Sequence, residues 1–327
     1  MTREPKRMLA RWLPPTAPWL LIVTALGALI LAILPHLNFL GGGLIPVLQA
    51  LIPAACLAVL VLSVPLLIFR KTRLPGLIVL VGALVGGFPA LVPTAPMRDA
   101  QSEPPTILSL NAEVGGANVG ELSDLILARG ADLVVLVEVD EAFLAELLST
   151  RVAQELPYRS GTVSAGGIPG SVVLSRYALV DEGDVPLPAG VTVFDHPIVQ
   201  VDHPALGPIR VAAIHPFPPI AGAADWHESL AAINDWQAGQ TDLPLVLAGD
   251  FNAGYAHPAF RGLAADFANT AAARGRIPVP TWPATGSIPA FTAIDHVLVR
   301  DLAPTSWERV QVADTDHFGI LARVTTP

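Results

Sequence analysis

The chain reads as a mixed α/β domain preceded by an all-α transmembrane region of about three helices, and three observations predict this. It is 52% hydrophobic and only 14% charged, against roughly a quarter charged in ordinary soluble domains, and the apolar excess lies mostly before residue 93. From residue 106 onward, short β-rich apolar runs alternate with helical or loop segments, the pattern of a mixed α/β domain. Charge divides at the same place. Residues 1–104 hold eight Lys and Arg against three Asp and Glu, a net of +5; residues 105–327 hold eleven Arg, no Lys and 25 Asp and Glu, a net of −14. The predicted organisation is a membrane domain over 1–92, a linker over 93–105 and the α/β domain over 106–327.

The membrane domain rests on three uncharged apolar stretches, about 19–35, 45–69 and 75–92, set against the roughly 20 residues that a span requires. The third is short and Gly-rich. The first lacks a small-residue cleavage site after its apolar core and is followed by further spans, so it reads as a signal anchor. The tail "MTREPKRMLAR" and the loop "RKTR" (70–73) are basic, whereas "PHLNFLGGG" carries no Lys or Arg. By the bias of Lys and Arg toward the cytoplasm, the N-terminus faces inward and, with three crossings, everything after residue 93 lies outside. The single cysteine, Cys56, sits in an apolar run, which excludes an intrachain disulfide. The segment "PTAPMRDAQSEPP" is Pro-rich without apolar periodicity and reads as a stiff linker.

In the α/β domain, strands are predicted over 106–111, 132–138, 171–176, 192–201, 209–215, 243–250, 293–300 and 317–324. Helices are predicted over 118–129, 140–155, 225–238 and 257–265. The helix at 225–238 carries Trp226, Leu230, Ile233 and Trp236 on one face, which reads as core packing. Polar residues fall at strand ends. Asn111, Glu138, His215 and Asp250 each follow an apolar run, while Asp295, Asp316 and His317 lie at or near the start of one. If the late strands run antiparallel to the early ones, all seven gather along one rim, where buried polar groups can find partners. His196 and His203 read as hairpin residues, Trp282 as a loop aromatic, and "SAGGIPG" as a flexible loop.

Six blocks, "LSLNAE", "VVLVEVD", "GSVVLSRYAL", "AAIHPFPP", "LVLAGDFNA", and "IDHVLVR" with "TDHFG", stand in an order that resembles the endonuclease/exonuclease/phosphatase superfamily of DNase I-like proteins across residues 105–327. The resemblance implies a four-layer α/β sandwich, two central β-sheets flanked by helices. It also implies a hydrolase that cuts phosphate esters by in-line attack of water. It makes Asp250 the base beside that water, Asn252 and His215 contacts to the phosphate, His317 the group that stabilises developing charge, and Asp295 the carboxylate that orients His317. Glu138, Asn111 and Asp316 would form a site for Mg²⁺ or Mn²⁺, ions that favour oxygen ligands. Two departures stand out: Val137 where the family has a Gln before Glu138, and "FG" where it has a basic residue after the histidine.

The acidic balance of residues 105–327 disfavours nucleic acid, whose binding draws on cations that displace counterions. The anchored arrangement resembles bacterial glycopeptide-resistance membrane proteins of the VanJ type. That implies the bilayer as partner and a phosphate-containing, lipid-linked or cell-envelope substrate. An anchored extracellular nuclease and a non-catalytic envelope binding protein are the alternatives. Nothing in the chain points to a protein partner.

Overall fold

The computed structural model describes residues 18–99, 104–192 and 194–327. The basic tail used to predict orientation and residues 100–103 of the predicted linker lie outside the described residues.

Four apolar helices come first: α1 (Pro18–Ile33), α2 (Leu44–Ala50), α3 (Ile52–Ile68) and α4 (Arg73–Gly87). Pro18–His36 and Arg73–Ala90 are each long and apolar enough to cross a membrane. The middle segment, predicted as one span, is instead bent by 52° between α2 and α3. Pro53 opens α3, where a missing N–H is tolerated, and α2 turns aside to pack on the α/β layers. Helices α1 and α4 are parallel. Gly82 meets Ala28 and Gly86 meets Leu31, so closely that a Cβ would come within 2.5 and 2.1 Å of α1 backbone atoms; only small residues permit such an approach. Helix α3 is antiparallel to α4, with Gly76 against Leu66 and Gly87 against Cys56. Ile33, Ile52 and Gly87 therefore share one end of the bundle, and the "RKTR" turn lies at the other.

The remaining elements are β1 (Thr106–Asn111), α5 (Val119–Arg129), β2 (Leu133–Val137), α6 (Glu141–Leu148), α7 (Val152–Glu155), β3 (Tyr158–Arg159), β4 (Ser171–Ser175), β5 (Leu179–Asp184), β6 (Pro197–His203), β7 (Gly207–Ile214), α8 (Pro219–Ala238), β8 (Leu245–Asp250), α9 (Pro258–Leu263), β9 (Ala268–Asn269), β10 (Asp295–Arg300), β11 (Ala303–Val310) and β12 (Gly319–Thr325). They form two six-stranded sheets, ordered β11-β12-β1-β2-β4-β3 and β5-β6-β7-β8-β10-β9. Each has a central parallel pair, β1 with β2 and β7 with β8, flanked by an antiparallel late strand, β12 or β10.

Three apolar layers separate four structural ones. Leu108, Leu110, Val134 and Leu136 face α5 and α6. Ile107, Leu133 and Val135 meet Val211, Val246 and Val297 between the sheets. Ala212, Leu245 and Leu247 pack on α8 and α9 through Trp226, Leu230 and Phe260. Because both faces of the central strands are covered, runs such as "LVVLV" are apolar throughout rather than alternating.

Several predicted boundaries move. The strand placed at 192–201 begins at Pro197, whose ring removes a ladder donor and suits a strand's first residue. The helix placed at 140–155 divides in two, because the hydroxyls of Ser149 and Thr150 bond back to Glu146 O and Leu147 O, competing with the helix ladder. Helix α8 starts six residues before its predicted start, at Pro219.

The bundle and the α/β layers touch directly. Ala256 joins Leu34, Ile52, Cys56, Ala83 and Ala90 in one apolar cluster. Arg261 Nη2 donates to Pro35 O at 2.6 Å, and Val92 N–H donates to Arg276 O at 2.8 Å. His257 Nε2 lies 2.9 Å from Pro46 O and donates to it.

Candidate active site

The antiparallel placement of β10 and β12 gathers the polar strand ends. Asp295 lies directly opposite Asp250 in the β10–β8 register. Asn111 pairs in register with Val137, so that Glu138 follows at the same rim. Gly249 allows the close approach of β8 to β7: its φ is +144°, and a Cβ there would stand 2.1 Å from Ile214 O. Phe251 turns the other way and is fully buried against Phe260 and His296.

All eight sequence-predicted site residues fall in one connected cluster. Asn111 Nδ2 donates to Glu138 Oε1 at 2.9 Å and to Asp250 Oδ2 at 3.2 Å, while its Oδ1 accepts from Glu113 N–H. Asp250 Oδ1 accepts from Asn252 N–H at 2.7 Å, and Asn252 Nδ2 donates to Pro216 O. His215 Nε2 lies 3.5 Å from Glu138 Oε1. His317 Nδ1 lies 3.0 Å from Asp295 Oδ2. Its Nε2 is 3.7 Å from both Asp250 Oδ2 and Asp316 Oδ1, beyond hydrogen-bonding range and so available to an incoming oxygen. Glu138 and Asn252 both have positive φ, 56° and 48°. A left-handed Glu is a strained backbone, of the kind that clusters at functional positions.

Electrostatics divide the cluster by role. Burial, reinforced by the charge on Asp295, pushes Asp250 up to about 6. Burial works against charge on His317, but Asp295 and Asp250 outweigh it and raise its pKa, so the ring is held as imidazolium. Burial also opposes charge on Glu138, yet the hydrogen bond and charge of His215, helped by Asn111, leave its pKa below the usual value. Ligand atoms of Asp250, Asp295 and His317 lie within 4.8 Å of one another, close enough to hold a cation.

Residues without a predicted role complete the framework. His196, read from sequence as a hairpin residue, is fully buried. Burial lowers its pKa to about 3, and its neutral Nδ1 accepts from the His215 N–H. Thr315 donates to Asn111 O and accepts from His317 N–H. Thr281 Oγ1 accepts from Asp295 N–H. Trp282 Nε1 donates to Asp316 Oδ2 at 2.8 Å. In sequence, only proximity to the "TDH" block and the loop before it could have marked Thr315 and Trp282; His196 carried no signal.

Apolar side chains stand beside this polar cluster. Val114, whose N–H donates to Glu138 Oε2, is exposed, and Gly167 packs against it with exposed Ile168 alongside. Trp282 packs edge-on against Phe291 in the loop that carries exposed Ile288.

A family model described as "Endonuclease/Exonuclease/phosphatase family" matches residues 108–317. Among solved structures, an endonuclease/exonuclease/phosphatase from Beutenbergia cavernae is 24% identical with a TM-score of 0.52, covering 69% of this chain and 72% of that one. TDP2 of D. rerio, in complex with a single-strand DNA product, is 16% identical with a TM-score of 0.56, covering 69% and 100%. A functionally unknown conserved protein from Enterococcus faecalis is 14% identical with a TM-score of 0.54, covering 68% and 100%. At these identities the structural likenesses show the fold. No curated protein matches the chain in sequence.

Proposed function

The chain belongs to the endonuclease/exonuclease/phosphatase family, a family of phosphoester hydrolases, and from that premise we propose that it is a membrane-anchored, divalent-metal-dependent hydrolase of lipid-linked or cell-envelope phosphates or diphosphates. The observation that carries the substrate class is the short path from the site to the bundle. Pro219 is the fourth residue after His215, at most about 14 Å of chain away, and the carbonyl of Pro219 lies where a Cβ on Gly43 would approach to 2.9 Å. Asp250 ends β8, and Asn252 lies on the loop that runs from it to His257, bonded to Pro46. A phosphate at this site is therefore near headgroup height. The exposed Val114, Ile168 and Ile288 beside the cluster suit an alkyl or isoprenoid chain better than a polynucleotide.

The proposed reaction follows from the geometry. Water attacks phosphorus in line with the leaving oxygen. Asp250, held by Asn252 N–H and Asn111, takes the proton of that water; a base with a pKa near 6 is largely ionised at neutral pH and still accepts a proton effectively. His317, kept charged by Asp295, directs its free Nε2–H at the developing negative charge. Asn252 and His215 orient the other phosphoryl oxygens.

The donor set fits a hard divalent cation. Glu138, Asp250, Asp295 and Asp316 outnumber the imidazoles, and residues 105–327 contain no Lys, so an anionic phosphate needs added positive charge to enter. Mg²⁺ or Mn²⁺ would be held by Glu138 with Asp316, and by Asn111 through the second lone pair of its already occupied oxygen. When bound, it neutralises charge on the phosphoryl oxygens.

The test is a panel assayed with and without Mg²⁺ on the full-length protein: polyprenyl phosphate and diphosphate, a soluble aryl phosphodiester, and DNA. Metal-dependent release of phosphate from the lipid substrates is the expected result. Preferential cleavage of DNA would replace this reading with the anchored nuclease. Failure to turn over any phosphoester would favour the non-catalytic binding protein.

A further inference from the structure

Among the described residues, the three most exposed large apolar side chains are Ile220 at 82%, Ile277 at 73% and Phe39 at 70%. They come from three distant parts of the chain, yet all lie where the bundle meets the α/β layers. Ile220 follows Pro219, the residue packed against Gly43. Ile277 follows Arg276, which exchanges backbone contact with Val92 and places its guanidinium 5.6 Å from the ring centroid of Phe88. Phe39 precedes Leu40, which packs on the core under α8 and α9. Phe88 itself is exposed, at the end of α4.

Large apolar side chains exposed to this degree are costly in water, and two isoleucines and a phenylalanine on segments that all border the seam call for a cover. The seam is continuous with helix surfaces that are themselves exposed and apolar: Ile30 and Ile33 on α1 and Leu84 and Val85 on α4 are all outward-facing near this end. The cover consistent with that continuity is the one around the helices.

We propose that Ile220, Ile277 and Phe39 enter the interfacial layer of the bilayer, so that the catalytic layers are seated in the membrane surface rather than held above it on a tether. The bonds from Arg261, His257 and Val92 across the seam fix that seating as one geometry. This inference rests on the helices spanning a membrane, and it adds that the hydrolase acts on phosphates of its own bilayer at a set height.

The test uses the full-length chain with Cys56→Ala, reconstituted in phosphatidylcholine–phosphatidylglycerol vesicles. A single cysteine carrying an environment-sensitive fluorophore is placed by Leu26→Cys in α1, Ile220→Cys, Ile277→Cys, or Ala205→Cys. Ala205 lies in the β6–β7 turn, at the far end of β7 from His215. Spin-labelled lipids provide the quencher. Blue-shifted, quenched emission at 26, 220 and 277, with water-like unquenched emission at 205, is expected. Quenching at 26 with water-like emission at 220 and 277 overturns the seating and leaves the anchor standing. No quenching at 26 overturns the membrane reading and the seating with it. Equal quenching at 205 and 220 overturns the orientation.

Discussion

Asp250 is the base of the proposed reaction, and its pH behaviour is the sharpest consequence of that role. Its pKa is raised to about 6 by burial and by Asp295, and the base is active only when deprotonated. Activity should rise as pH increases through about 6. It should fall again only at strongly alkaline pH, as His317, held charged by Asp295 and Asp250, loses its proton. Asp250→Asn should lower kcat by about 10²–10⁴-fold, the usual contribution of a positioned base, without changing the melting temperature appreciably; initial rates against pH check both. Trp282→Phe keeps the ring packed on Phe291 but removes the N–H that holds Asp316. A charge-assisted bond is worth about 1.5–3 kcal/mol, so kcat/KM should drop by roughly tenfold or more at unchanged fold, as circular dichroism and steady-state kinetics can verify. The gathering of seven of the eight candidate residues was legible in the sequence because strand-terminal polar groups interrupt otherwise apolar runs; Asn252 was marked only by the family resemblance. His196 was not legible. Its part, a neutral nitrogen beneath the His215 N–H, exists only through packing.

At the scale of elements, strands buried on both faces announced themselves as continuous apolar runs. Strand β5, "LVDEGD", did not: it is an exposed edge strand with no apolar face to display. Two-residue β3 and β9 are too short for any period. The bend between α2 and α3 was equally hidden, since hydropathy registers length and not direction. What bends α2 is its seat on the α/β layers, where His257 receives it. His196, His257 and His296 are buried and their pKa values lowered, to about 3, 4 and 4, chiefly by desolvation. Unfolded, each titrates near 6.5. Below that pH the unfolded chain binds more protons than the folded one, so stability is full above about 6.5 and lost as pH falls toward 4. Each group contributes up to about 1.4 kcal/mol per pH unit inside that window. His257→Asn should reduce the slope of stability against pH by about one proton, measured by thermal unfolding in detergent between pH 7.5 and 5.

At the scale of the whole molecule, parallel α1 and α4 with antiparallel α3 between them in sequence bring the α/β layers to one end of the bundle and the basic turn to the other. A C-terminal alkaline phosphatase fusion should be active and a C-terminal green fluorescent protein fusion dark, as for a catalytic part outside the cytoplasm; the reverse pair would invert the proposed orientation. The seam carries one more consequence, for how such a protein can change over generations. Its donors, buried His257 Nε2 and the half-buried Arg261 guanidinium, are met by the carbonyls of Pro46 and Pro35. Carbonyls are common to every residue, so the letters at those two positions can drift while the path of the chain cannot. An unrelated helical segment of equal hydrophobicity, grafted in place of this one, would leave His257 Nε2 and the Arg261 guanidinium without these acceptors. The bundle is not an interchangeable part: its path supplies the carbonyls that meet donors beside the candidate active-site loop.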